Sequence, residues 1–287
     1  MPQTINTNLP SLNAQRNLAT SQGSLHVSMQ RLSSGLRVNS AKDDAAGLAI
    51  AERMNSQVRG MSVAMRNAND GISMAQTAEG ALGKVGDMLQ RMRELAVQAA
   101  NGTNSTSDRN SLNNEYLQLA RESARTLGGT QFNGQNILAT TSASSFQIGA
   151  NTDANLDQIQ ITGFDWTTVT AIIDALGTAV GTDPTIAVAG TDGSFATAAI
   201  TALDAAVTAI NDQRATFGAV QNRFDNVVAN LMVSSENQTA ARSRIMDADY
   251  AAETASLSRA QILQQAGNAM LAQANQLPQQ VLSLLQR

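Results

Sequence analysis

The sequence predicts a mainly α protein. Its two ends form a long antiparallel helical coiled coil, its inner helices a second bundle, and the middle of the chain caps that bundle. Three observations carry this. Apolar residues recur at alternating steps of three and four at both ends, the signature of a helical seam. Aromatics are only 3% of the residues although 43% are hydrophobic, mostly Ala, Leu, Ile, Val and Met, which suits long helices packed side by side rather than an aromatic-filled globule. Both ends are nearly free of charge, whereas the segments just inside them are ordinarily charged.

The first seam runs through Leu18, Gln22, Leu25, Met29, Leu32 and Leu36. A joint follows in LSSGLRVNSAKDDAAGLAIAERM, Leu32 to Met54, where Ser40 with Asp43 three residues on predicts a capping box. A long helix then extends to Ala100 and stops at Asn101-Gly102. Gly80, Gly83 and Gly86 inside it predict close approach of a neighbouring helix. Ser107-Asp108 restarts a helix that ends at Gly128-Gly129, and Asn133-Gly134 is a turn. The strand-like pieces NIL and FQIGA come next. Residues 140 to 197 read as hairpins, a short helix from Trp166 to Leu176, and turns at Asp183-Pro184 and Asp192-Gly193. Helical pattern resumes near Ala198. ARSRIMDADY, Ala241 to Tyr250, is a charged second joint that mirrors the first. The last seam is Leu263, Gly267, Met270, Ala274, Leu277, Val281 and Leu284, with Pro278 predicting a kink or a helix restart.

The ends have unusual polar faces. From Met1 to Gln30 the ionised side chain is Arg16, beside neutral His26; from Leu257 onward Arg259 and Arg287 are the charges, among many Gln. An uncharged but hydrogen-bonding surface suits packing among copies of itself, since a buried charge costs far more than a paired amide. Burying a handful of apolar side chains in one helix pair does not offset the backbone entropy of ordering the ends. The termini are therefore expected to fold on assembly.

Several function classes are disfavoured. Net charge is −4 and the pI about 5.0, with no basic patch, so nucleic acid is not an expected partner. No run of about 18 apolar residues suggests membrane insertion, and MPQTINTNLPSLNAQ lacks the features of a secretory signal, so an exported chain would leave by another route. Cys is absent and His26 is the one histidine, which leaves no thiolate or His-based metal cluster. The carboxylate pairs Asp43-Asp44 and Asp247/Asp249 sit where helices start. Asp192-Gly193 lacks the other positions of a calcium loop. Asn101-Gly-Thr and Asn104-Ser-Thr match glycosylation acceptors only formally. No cofactor and no enzymatic activity are expected, because GxSxG, Walker and dinucleotide patterns are missing.

Seven stretches are more specific. LSSGLRVNSAKDDAAGLAIAERM, RNANDGISMAQTAEGALGKV, LQRMRELAVQAANGTNS, TQFNGQNIL, GAVQNRFD, ARSRIMDADYA and SRAQILQQAGNAMLAQANQLPQQVLSLLQR, in this order, closely resemble bacterial flagellin. The resemblance covers about residues 1–140 and 205–287. It implies a subunit that associates head-to-tail into an open helical tube, the extracellular flagellar filament used for motility. Residues 1–40 and 253–287 would form the terminal coiled coil that lines the inner tube. Residues 41–140 and 198–252 would form a rod-like helical core with a β-hairpin region, and 141–197 a short variable β/turn region. Large outer domains are expected to be missing. The implied inner contacts are Leu18, Leu25, Met29, Leu32 and Leu36 against Leu263, Met270, Leu277, Val281 and Leu284.

The resemblance also implies partners. They are other copies of the chain, an export chaperone on the C-terminal segment, and the filament cap and hook–filament junction proteins, with export through the flagellar apparatus. A host Toll-like receptor is implied by a match at Gln90, Arg91, Leu95 and Glu115. VLSLLQR resembles the segment seen by inflammasome receptors, at Val281, Leu282, Leu284 and Leu285, although Gln286 before the terminal Arg departs from the commonest ending. The nearest alternative is a hook–filament junction protein. A secreted pore-former would need basic faces and interfacial aromatics that the ends lack.

Overall fold

A computed structural model describes residues 7–189 and 194–285, with side chains as far as residue 276. The expected Asp192-Gly193 turn lies outside these residues. In chain order they form α1 (Leu9–Ser34), α2 (Ala45–Ala99) and α3 (Thr106–Gly129), then β1 (Gln131–Phe132), β2 (Gln135–Asn136), β3 (Ser144–Gln147) and β4 (Gln158–Ile161). A 3-10 turn (Trp166–Thr168), α4 (Thr170–Leu176), α5 (Ser194–Met246) and α6 (Tyr250–Leu285) complete the chain. The fold is mainly α, and its middle carries short hairpins and one short helix rather than a large outer domain. Two compact units result: Met1–Gln57 with Glu236–Arg287, and Val58–Ser235.

The second unit is built on a buried heptad stripe of α2. Ala68, Ala75, Ala78, Leu82, Val85, Leu89, Met92, Ala96 and Ala99 are all sealed from solvent. Gly71 completes the stripe, and a Cβ there would sit 2.7 Å from Phe224 Cζ of α5. Opposite it, α5 presents Ala196, Ala199, Leu203, Ala206, Ile210, Phe217 and Phe224 at the same period, and α3 presents Tyr116, Ala120, Ala124 and Leu127. One 18-residue stretch of α5 reaches a mean hydropathy of 1.2, as a membrane span would. About a quarter of that stretch (28%) is buried in the unit. Burial pushes the Tyr116 phenol well above its ordinary pKa.

The α2–α3 corner explains its own sequence. α2 ends at Ala99, and Arg109, buried on α3, donates from Nε to Ala99 O at 3.0 Å and from Nη2 to Asn101 O at 3.2 Å. It thus satisfies carbonyls that a helix end leaves unpaired. α3 begins earlier than Ser107-Asp108 suggests, because Ser105 and Asp108 cap each other's backbone.

β1 and β2 pair antiparallel around Asn133 (φ 49°) and Gly134 (φ 77°), a two-residue turn that needs positive φ at both positions. NIL is not a strand: Ile137 and Leu138 leave β2 and enter the core. Of FQIGA, Phe146 and Gln147 belong to β3, which pairs with β4 through Phe146↔Ile159. Phe146 stands edge-on to Phe224, with ring centroids 5.7 Å apart. The expectation for Gly80, Gly83 and Gly86 is corrected: a Cβ at any of them would meet nothing within 4 Å, so close approach falls on Gly71 instead.

In the first unit α1 and α6 run antiparallel. Asn8 Nδ2 donates to Ala274 O at 2.8 Å, Leu18 lies against Gly267, Arg31 pairs with Glu253 at 3.7 Å, and Leu36 bridges Asp247. As the first number rises the second falls. α6 is continuous through Pro278, so no restart occurs there.

Candidate functional site

The seam between α1 and α6 is one position away from the apolar stripe that the sequence suggests. On α1 it runs through Ser11, Ala14, Leu18, Ser21, Leu25, Ser28 and Leu32; on α6 through Leu257, Ala260, Gln264, Gly267, Leu271 and Ala274. Leu18, Leu25 and Leu32 lie on this intrachain seam, where they alternate with serines and not with Gln22 and Met29. Small partners let the backbones approach: a Cβ on Gly267 would lie 3.2 Å from Leu18 Cδ1. Ser11 Oγ donates to Asn275 Oδ1 at 2.9 Å, so this polar seam member has a partner on the facing helix.

Larger apolar residues are left outside. Met29 is 57% exposed, Leu263 51% and Met270 64%, with Leu9, Leu12 and Ile262 exposed beside them. Within one chain Met29 does not meet Leu263 or Met270 in a buried seam, because the serine and glycine stripe occupies the contact. Leu36 also departs from expectation. It lies beyond the end of α1 and packs with Val38, Leu48, Ala51, Ile245 and Met246 in a small joint core. Leu277, Val281, Leu282, Leu284 and Leu285 fall on the backbone of α6, but their side chains lie outside the described residues.

The two charged joints, expected only to mirror each other, are in direct contact. Gly35 ends α1 in the left-handed region (φ 71°) and its N–H donates to Arg31 O. That turn sets Leu36 against Asp247 in a short antiparallel bridge. Arg37 N donates to Met246 O at 2.6 Å, Ala248 N to Gly35 O at 3.0 Å, and the Arg37 guanidinium to Ile245 O at 2.7 Å. Asp43 accepts from Ser40 Oγ and from the backbone of Asn39 and Ser40. The Ser40 hydroxyl, then those two amides, hold its carboxyl below the usual aspartate range. Ser40 does not start the helix, however. Residues 40–43 form a turn, and Asp44 caps α2 by accepting from Gly47 N at 2.8 Å. At the second joint Asp249 accepts from Ala251 N and Ala252 N at the start of α6.

The second predicted cluster lies in the other unit. Arg91 donates to Glu115 Oε1 through Nε (3.1 Å) and Nη2 (3.0 Å), and through Nη1 to Glu94 at 2.8 Å. Glu94, then Glu115, raise its pKa further. Gln90, Arg91 and Glu115 are exposed. Leu95 is not: it is 1% exposed and belongs to the α2 core, since it follows Leu89 and Met92 on the inward face. Sequence reasoning missed the neighbouring pair in which Arg93 donates to both Asp204 oxygens, at 2.6 and 3.3 Å. Together with Gln90, Glu94, Val97, Gln98 and Val207 this pair lines a shallow groove of about 670 Å³. No local motif announces it, because its members are 111 residues apart.

A bundle of long helices in one unit and a pair of antiparallel terminal helices in the other define a mainly α, long-helix class of protein. A solved flagellar hook-associated protein of Vibrio parahaemolyticus shares this fold, with a TM-score of 0.58 at 12% identity, over 71% of this chain and 100% of that one. Family models are more specific. The bacterial flagellin N-terminal helical region matches residues 5–143, and the bacterial flagellin C-terminal helical region residues 200–285. A flagellin of Halalkalibacterium halodurans is 46% identical over 98% of this chain and 99% of its own. The flagellar filament 33 kDa core protein of Treponema phagedenis is 44% identical, also over 98% and 99%. The chain belongs to the bacterial flagellin family, structural subunits of the flagellar filament.

Proposed function

We propose that this chain polymerises head-to-tail into the flagellar filament, with residues 1–40 and 253–287 as the inner tube, 41–140 and 198–252 as the core around it, and 141–197 as a short outer region. The carrying observation is the apolar surface left on the paired ends. Met29, Leu263 and Met270 stand exposed beside a thin serine, alanine and glycine seam. A second copy would bury them, and the ends would gain from that burial the order that one helix pair sustains weakly. Leu18, Leu25 and Leu32 then support the pair from inside, Leu36 anchors the joint, and the proposed subunit contacts continue to Leu277, Val281 and Leu284.

Family membership also supports export through the flagellar apparatus, an export chaperone on the C-terminal segment, and cap and hook–filament junction proteins as partners. A junction-protein identity is not favoured, since flagellins match along almost the whole chain. Recognition by a host Toll-like receptor would use Gln90, Arg91 and Glu115, with Leu95 supporting them from the core. An inflammasome receptor would read Val281, Leu282, Leu284 and Leu285.

Seeded elongation tests the main reading. Purified chain added to filament fragments should extend them, and Leu277→Asp should abolish extension while circular dichroism stays mostly helical. Normal filaments from Leu277→Asp would overturn the proposed contacts.

A further inference from the structure

Methionine oxidation requires a reachable sulfur, and the methionines of this chain range from fully buried to largely exposed. Met74 and Met92 are 5% and 0% exposed, whereas Met29, Met232 and Met270 are 57%, 58% and 64% exposed. Met232 lies on α5 in the unit Val58–Ser235; Met29 and Met270 lie on the terminal helices. Met270 follows Leu263 by seven residues and so shares its outward face.

We propose that Met29 and Met270 are an oxidation site through which hydrogen peroxide blocks self-association of the free chain; the proposal rests on the filament reading above. At each position one peroxide oxygen bonds to the thioether sulfur and the O–O bond breaks. The other oxygen leaves as water, so sulfur is oxidised by two electrons and peroxide is reduced. The product is a polar, chiral sulfoxide where an apolar, flexible side chain stood. Covered by another copy, its S=O oxygen becomes a buried acceptor at a place where the thioether needed no hydrogen-bond partner. In an assembled filament both sulfurs are covered, so the site belongs to the chain before it is incorporated.

The test treats free chain with dilute peroxide, maps sulfoxides by peptide mass spectrometry, and measures elongation of untreated seeds. Met29 and Met270 should oxidise well before Met74 and Met92, and elongation should slow by about tenfold or more. Met29→Leu with Met270→Leu, compared with its own untreated sample, should elongate at the same rate after peroxide as before it. Met232→Leu should remain sensitive, and methionine sulfoxide reductase should restore the oxidised wild-type chain. Normal elongation by chain carrying both sulfoxides, or equal sensitivity of the double variant, overturns the proposal. Oxidation of Met74 or Met92 first overturns the site itself. Failure of untreated chain to elongate would instead count against the filament reading, and the mapping would still decide which sulfurs react.

Discussion

Arg37 and Ile245, 208 residues apart in sequence, are joined by a 2.7 Å hydrogen bond from the Arg37 guanidinium to the Ile245 carbonyl. The contact ties the first joint to the second beside the bridge between Leu36 and Asp247. It rests on Gly35, whose left-handed backbone ends α1 and turns the chain toward the second joint.

Gly35→Ala tests that cap. A Cβ at Gly35 would meet nothing within 4 Å, so the expected loss of about 1–2 kcal/mol comes from backbone conformation alone. Hydrogen exchange should read it as weaker protection of Arg37 N–H and Ala248 N–H, with the core of the other unit unchanged.

Acidification should loosen the same joint. The Asp43 carboxyl is held below its ordinary pKa, so it stabilises the folded joint while ionised. That contribution is present above the unfolded aspartate pKa of about 3.9 and is lost as pH falls through the lower folded value. NMR titration should place the Asp43 midpoint below that of a model peptide. Asp43→Asn should shrink the acid-induced loss of protection at Asn39 and Ser40.

Glycine substitutions on α2 should differ in sign. Gly71→Ala brings a methyl to 2.7 Å from the Phe224 ring and should cost about 1–3 kcal/mol through overpacking. Gly83→Ala meets empty space and should stabilise by about 0.5–1 kcal/mol through helix propensity. Urea denaturation of the two variants should move the midpoint in opposite directions.

Arg109→Ala should remove the cap on α2. It leaves the Ala99 and Asn101 carbonyls without the bonds that the buried guanidinium supplies, an expected loss of about 1.5–3 kcal/mol. Arg109→Lys should recover only part of this, because one ammonium does not reproduce the planar fork. Equal stability of Arg109→Ala and wild type in urea would sink this account.

The terminal pair shows how far local pattern carries. Leu18, Leu25 and Leu32 are legible as a seam because leucine at heptad spacing is the strongest helical signal. Ser21 and Ser28 are not, since serine enters a hydrophobic pattern only where close backbones leave no room for more. Met29 matched the pattern and faces outward; Leu95 matched a surface motif and faces inward. In both cases the partner helix, remote in sequence, chose the face.

The sequence by itself determined roughly where the long helices lie, the mainly α class, the nearly uncharged ends and the family, because these rest on local propensity, capping and composition. Only the tertiary structure decided which stripe of each helix is covered, that the two joints clasp each other, and that Gly71 rather than Gly83 is hemmed in. Those outcomes depend on contacts between residues far apart along the chain, whose fit is a property of packed volumes and not of any single stretch.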